Sequence, residues 1–249
     1  MLLICLTLEC FIMKKITIDE GNTSVKIALF DDDTLVSKDK NFDLDFVIKL
    51  LSKCDRLILS TVKNNSNFNS LLSNKNCILL NELTPLPIKI LYKTPNTLGN
   101  DRIALAVGAT NVFPNSNILV IDVGTCITYD FINTKKEYIG GGISPGIKMR
   151  YQALNKYTNQ LPLLKKVKEV DLVGTDTFSS IHSGVINGIA NEIDGIIARY
   201  LRMCPKTKVI VTGGDAKLFD KGLKNTIFAN PNLLMQGLNK ILDYNESYF

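Results

Sequence analysis

Apolar positions along the chain fall into one arrangement that occurs twice. Ile16 and Ile18 lead into the polar turn Asp19-Glu20-Gly21-Asn22-Thr23, and Val25, Ile27 and Leu29 lead out of it. A hundred residues on, the run from Ile118 to Ile121 leads into Asp122-Val123-Gly124-Thr125-Cys126, and Ile127, Tyr129 and Phe131 lead out. Alternation of this kind predicts two strands joined by a tight hairpin, with the glycine easing the turn. A hairpin at the start of each half implies a duplicated domain.

Further elements follow each hairpin. In the first half the pattern predicts a helix over 44–51, strands over 56–61 and 77–80, and a helix over 99–110. In the second it predicts a strand over 136–142, a helix over 145–155, a strand over 208–211 and a terminal helix over 233–242. Ile181, Val185, Ile189, Ile193, Ile196 and Tyr200 recur at helical spacing and predict a long amphipathic helix over 178–201. The turn-rich Phe113-Pro114-Asn115-Ser116-Asn117 marks the boundary between domains 14–113 and 114–249. The fold class is α/β, two like domains with a ligand cleft between them. Residues 1–12 are apolar but fall short of the roughly 20 residues of a membrane span. No basic stretch precedes them, and the first strand begins just after Met13, so the segment is expected to be dispensable.

Composition narrows the function classes. Hydrophobic residues make up 45% and charged residues 21% of 249 residues, ordinary globular usage that argues against a disordered or fibrous chain. The net charge of +5 is mild and its lysines are scattered. The Lys165, Lys166, Lys168 cluster is too short for a nucleic-acid tail, so neither nucleic acid nor a membrane is expected as a partner. The six cysteines show no CxxC pair, and His182 is the single histidine, which argues against zinc and against a disulfide framework. Reduced thiols fit a cytoplasmic protein. His182 falls within a helix and reads as structural.

The chemistry gathers on the two turns and one loop. Gly21, Asn22, Thr23 and Ser24 offer backbone N–H groups and polar side chains to phosphate oxygens. Asp19 suits Mg²⁺, and Lys26 suits the charge of a transferred phosphoryl group. Asp-x-Gly-Asn is also an ordinary hairpin signal, but its repetition at Asp122 to Thr125 suggests two hairpins that clamp a triphosphate. Neither GxxxxGK[ST] nor GxGxxG occurs in the chain. The glycines at 140–142 and 213–214 fit either a close nucleotide or a plain turn. Thr175-Asp176-Thr177 looks like a helix cap. In Tyr92-Lys93-Thr94-Pro95-Asn96-Thr97-Leu98-Gly99-Asn100-Asp101-Arg102, Asp101 opens a helix whose macrodipole favours negative charge. Asp101 there suits acceptance of a hydroxyl proton, and Arg102 suits an anionic substrate or the γ-phosphate. The plainer reading is a helix cap beside a surface arginine.

Taken together, Asp-x-Gly-Asn-Thr, Thr-Pro-x-Thr-Leu-Gly-x-Asp-Arg, Asp-x-Gly-Thr, Gly-Gly-Gly-Ile-Ser-Pro-Gly and Thr-Gly-Gly-Asp-Ala resemble, in that order, the type III pantothenate kinases. The resemblance runs from Met13 to about Leu238. It implies two actin-like, ribonuclease H-like domains, as in sugar kinases, with ATP in the cleft and pantothenate 4′-hydroxyl as acceptor. It implies that Asp19, Glu20, Gly21, Asn22, Thr23, Ser24, Val25, Lys26 and Thr125 bind ATP. It implies that Tyr92, Gly99, Asn100, Asp101, Arg102 and Thr177 bind pantothenate, with Asp101 as proton acceptor. Asp122 would hold K⁺ or NH₄⁺, Mg²⁺ would accompany ATP, and the protein would be a cytoplasmic homodimer. Residues 1–12 and Glu20 depart from the family pattern. Glu20 lies on the strand face opposite Asp19, where a change is expected to be tolerated. The competing readings are a kinase for another hydroxylated substrate and a non-catalytic regulator.

Overall fold

The computed structural model describes residues 12–40, 42–63, 66–219 and 223–246. In chain order these form β1 (Lys14–Glu20), β2 (Val25–Asp31), β3 (Thr34–Lys40), α1 (Leu44–Leu51), β4 (Arg56–Thr61), β5 (Cys77–Leu79), β6 (Lys89–Ile90) and α2 (Asn100–Val112). There follow β7 (Ile118–Val123), β8 (Cys126–Ile132), β9 (Glu137–Pro145), α3 (Ile147–Lys156), α4 (Thr177–Met203), β10 (Lys208–Thr212), β11 (Phe228–Ala229) and α5 (Leu233–Tyr244). All of the expected 1–12 extension except Ile12 lies outside the described residues. None of the described helices is long and apolar enough to cross a membrane.

The duplication is plain in the sheets. The first runs β3-β2-β1-β4-β5. The second runs β11-β10-β7-β8-β9, the same order in mirror listing, with β6 added beside β9. In each, the opening hairpins are antiparallel and the later strands pair parallel. The boundary expected at 113–117 falls between α2 and β7, and two elements reach across it. Lys89 and Ile90 pair with Glu137 and Tyr138 of the second sheet. The C-terminal α5 packs back against β1 and β4.

Both sheets are covered on both faces, so their central strands read as apolar runs. One core joins β1 and β4 to α1 through Ile16, Ile18, Val47, Leu57 and Leu59. Another joins β7, β8 and β10 to α3 and α4 through Leu119, Ile121, Tyr151, Ile189 and Val211. The largest lies between the sheets: Phe30 and Ile58 from one and Val120, Ile132 and Ile210 from the other close on α2 and α5. From Arg102 to Thr110 every residue of α2 is buried. A helix enclosed on all sides has no polar face, and α2 is accordingly not amphipathic.

The two central helices cross at their glycines. A Cβ on Gly237 would overlap the carbonyl oxygen of Ala104, and one on Gly108 would press on the Leu233 carbonyl. Gly195 of α4 has nothing within 4 Å of the same position. Gly237→Ala is therefore expected to cost about 1–3 kcal/mol or more by forcing α2 and α5 apart. Gly195→Ala should be neutral or stabilising by up to about 1 kcal/mol. Thermal denaturation of the two variants checks this, and equal melting temperatures would overturn the close-contact reading.

Candidate active site

The cleft between the sheets is bordered by the two hairpins. Asp19 and Lys26 face each other across β1 and β2, with Lys26 Nζ donating to Asp19 Oδ2 at 3.2 Å. Ser60 Oγ on β4 lies 3.4 Å from the other oxygen. Burial pushes the Asp19 carboxyl above its ordinary range against the pull of Lys26. Gly21 N–H donates to Ser24 O at 3.2 Å and closes the turn, leaving Asn22 and Thr23 exposed at the tip. Thr23 Oγ1 meets Thr125 Oγ1 of the second hairpin at 2.9 Å, so the two tips touch across the cleft.

Glu20, the departure from the family pattern, is buried with its carboxylate on the far face. Thr61 Oγ1 and Lys63 Nζ donate to it at 2.7 and 3.0 Å. Burial opposes its charge, but hydrogen bonds from Ser66, Thr61 and Lys63 outweigh that and lower its pKa. Its side chain is therefore satisfied away from the phosphate hairpin.

Asp122 is the penultimate residue of β7, opposite Thr212 of β10. Gly213 follows with φ +105°, and a Cβ there would overlap an Asp122 carboxylate oxygen. The turn can thus close over the acid only as glycine. Burial pushes the Asp122 carboxyl up to about 7, with Asp101, Asp130 and Asp19 adding to the rise and Lys26 opposing it. Excess negative charge of this kind suits a cation. Among the described residues no group of three or more His, Cys, Asp or Glu could cage a metal unaided. A cation here would take Asp122 together with backbone and phosphate oxygens, and a phosphate-bound Mg²⁺ needs only one or two carboxylates.

The opposite side of the cleft is built by the loop before α2. Thr97 Oγ1 donates to Thr94 O at 2.9 Å, and Leu98 anchors the loop in the core. Gly99 is the N-cap of α2, and a Cβ there would overlap Asp101 Oδ1. Asn100 is turned away, donating to Leu80 O at 2.8 Å. Asp101 lies in the first turn, accepting from Arg102 N–H at 2.8 Å. Arg102 is not a surface residue but is buried and paired. Its Nε and Nη2 both donate to Asp130 Oδ1 at 2.7 Å. Tyr138 OH and Thr128 Oγ1 complete the Asp130 shell at 2.6 and 3.0 Å, and the Tyr92 ring lies 6.0 Å from the guanidinium.

The structure thus gathers Asp19, Lys26, Asp101, Arg102, Asp122 and Thr125 around one cleft. Thr177 is exposed at the start of α4, and no hydrogen bond joins it to the acceptor loop; Asp176 forms the capping box there. Sequence reasoning missed Asp130 and Tyr138. The available signal was an acid inside the strand Ile127-Thr128-Tyr129-Asp130-Phe131, because a buried carboxylate needs a partner. It also missed Lys38 and Lys40 of β3, which line a cavity of about 350 Å³ beside Asp122 and Gly213.

The family model for type III pantothenate kinase matches residues 15–199. The chain belongs to that family. A Cytophaga hutchinsonii protein named type III pantothenate kinase is 45% identical over 232 residues, 92% of this chain and 99% of its own. A Bacteroides fragilis protein of the same name is 43% identical over 244 residues, 92% of this chain and 97% of its own. Among solved structures, a Campylobacter jejuni protein named for the Baf family of transcriptional activators superposes with TM-score 0.62 at 22% identity, covering 93% of this chain and 99% of its own. A Listeria monocytogenes protein named for N-acetylmannosamine kinase superposes with TM-score 0.54 at 12% identity, covering 94% of this chain and 100% of its own. At such identities the likeness is of fold, and the fold of this type III pantothenate kinase family member is the actin-like, sugar-kinase one with two like sheets.

The raised Asp122 pKa has a thermodynamic consequence in cation-free protein. Its folded value of about 7 exceeds the ordinary 3.8. The folded state therefore holds a proton that the unfolded chain releases, and this stabilisation is lost as pH rises from about 4 through about 7. Asp122→Asn removes the titration. The melting temperature of the variant relative to the parent should rise between pH 5 and pH 8, by an amount equivalent to about 1 kcal/mol or more. A difference that stays flat with pH would show that Asp122 titrates normally.

Proposed function

We propose that the chain transfers the γ-phosphoryl group of ATP to the 4′-hydroxyl of pantothenate, the entry step of coenzyme A synthesis. One observation supports this above the others. The phosphate hairpins and the carboxylate of the acceptor loop converge on one cleft, close enough that the charge of Asp101 acts on both Asp19 and Asp122.

The roles follow from chemistry. The hairpin amides of Gly21 to Ser24 and the hydroxyls of Thr23 and Thr125 hold phosphate oxygens. Lys26 and Asp19 stand at the transferred group, where Asp19 would meet Mg²⁺. Bound cations neutralise the charge that develops on the bridging oxygens. Asp101 orients the acceptor hydroxyl and takes its proton late in a loose transfer. Arg102, its charge matched by Asp130, offers oriented N–H groups rather than net charge. Tyr92 walls the acceptor pocket against Tyr138, ring to ring at 6.1 Å.

The monovalent cation and the homodimer belong to the same reading. Asp122 carries the surplus charge that K⁺ or NH₄⁺ would relieve. For association, Ile143, Leu172 and Phe178 are 65%, 78% and 57% exposed, joined by Met149 and Val173. Exposed apolar side chains of this kind suit contact with a second copy of the chain. A cytoplasmic setting suits an ATP-consuming step of this kind.

A coupled assay with ATP, Mg²⁺, K⁺ and pantothenate tests the reading directly. Asp101→Asn should fold normally yet lose about 10²–10⁴-fold in kcat, the scale of a general base. As a mere first-turn acid it should cost only a few tenths of a kcal/mol in stability and leave turnover alone. Near-normal turnover would remove the proton-acceptor role.

The cation carries its own test. Turnover should fall sharply when K⁺ is replaced by Na⁺ or by a bulky organic cation. Equal rates in all three salts would sink the Asp122 assignment.

A further inference from the structure

The cavity beside Asp122 carries a charge pattern that the phosphate hairpins do not explain. Lys26, Lys38 and Lys40 reach it from the first sheet and Lys217 from the opposite wall, while Asp122 is the one carboxylate among its lining residues. Lys26 and Lys40 stand directly opposite each other on β2 and β3. Lys26 is paired with Asp19. Lys38 is held only by neutral acceptors, Pro231 O and Asn232 Oδ1, both at 2.8 Å. These contacts span the cleft from the first sheet to the loop after β11 and aim the ammonium group without cancelling its charge. Burial lowers the Lys38 pKa, and the positive charges of Lys26 and Lys40 lower it further.

Lysines on an outer strand commonly serve to keep that edge from pairing with another chain. β3 is such a strand, and Lys38 and Lys40 are exposed on it, but their side chains also line a half-open cavity that includes the glycine turn at 213–214. Leu105, Leu234 and Met235 supply apolar lining in the same cavity. Clustered ammonium groups in a half-enclosed space, with little negative charge of their own, favour a polyanion.

We propose that Lys38 and Lys40 are donor-side polyphosphate ligands, which hold, with Lys217 facing them, the phosphates of the nucleotide that are not transferred. The proposal rests on the kinase reading above and adds binding residues to it. Lys26 and Asp122 then act at the transferred group, while Lys38 and Lys40 act on the remainder of the chain of phosphates. Lys38 would exchange its contacts with the 231–232 loop for phosphate oxygens, so donor binding would release a link between the two halves.

Lys38→Met and Lys40→Met keep the length and apolar stem of each side chain and leave the core untouched. Each should raise KM for ATP by about tenfold or more, as loss of a charge-assisted contact does, with KM for pantothenate little changed. Inorganic tripolyphosphate, which has no base, should compete with ATP in the parent protein and compete less well in the variants. An unchanged KM for ATP, or an equal rise for both substrates, would overturn the proposal. If the parent protein shows no pantothenate phosphorylation, the kinase reading fails instead. Calorimetric titration of tripolyphosphate into parent and variants then still decides this one: equal binding by all three, or none by the parent, refutes it.

Discussion

The crossing of α2 and α5 between the two sheets is the constraint on which the rest of the molecule depends. Each helix packs against the other where side chains are absent, Gly108 against Leu233 and Gly237 against Ala104. Helices this close bring their sheets close, and the shared core draws residues from both halves. The first turn of α2 carries Asp101, while β7, packed on the same helix, carries Asp122. The separation of acceptor carboxylate and phosphate hairpin is therefore set by main-chain contact between helices, which tolerates little change. The cleft inherits its dimensions from a place that no substrate touches.

A second tie works at the surface of that core. Arg102 from the first half and Asp130 from the second are both buried, and the acid accepts from arginine, tyrosine and threonine at once. Breaking one partner of such a pair leaves an unpaired charge in a dry place and costs far more than the pair contributes. Arg102 directly follows Asp101 in the chain. The pair thus fixes the rotation of the α2 terminus against β8, just as the helix crossing fixes its height.

Much of this was legible in the sequence, and the exceptions have physical reasons. The repeated hairpins were visible because both strands of each alternate clearly and the turn holds glycine and a carboxylate at fixed places. α1 matches its expected bounds because Leu44 to Leu51 has one buried stripe and a capping Asp43. β3 was not visible, since nearly all of Thr34 to Lys40 is exposed and gives no buried face. β6 and β11 are two residues each, too short for any period. In the site, motifs marked the residues held by turns and helix starts. Asp130, Tyr138, Lys38 and Lys40 escaped because they lie within strands, where function is set by which face a residue takes and what stands opposite. Arg102 was placed correctly in the site, yet its burial and its partner were not foreseen, because pairing across 28 residues is a property of the fold.

The distribution of charge around the cleft gives the two substrates different means of recognition. On the acceptor side the one buried cation is matched by the one fully buried anion, so Arg102 and Asp130 together present direction without net charge. On the proposed reading, a substrate there would be selected by shape and by hydrogen-bond geometry, with the Tyr92 and Tyr138 rings as walls. On the donor side the charges are not matched. Of the lysines that line it, Lys26 is paired with Asp19 while Lys38 is held by neutral acceptors, and the single carboxylate among the lining residues is pushed up to about 7 by burial. On the reading proposed above, a polyanion arriving with its cations would correct both imbalances, with phosphates on the lysines and a cation on Asp122. Binding free energy gained on that side would then be available to orient the transferred group before the hydroxyl is committed.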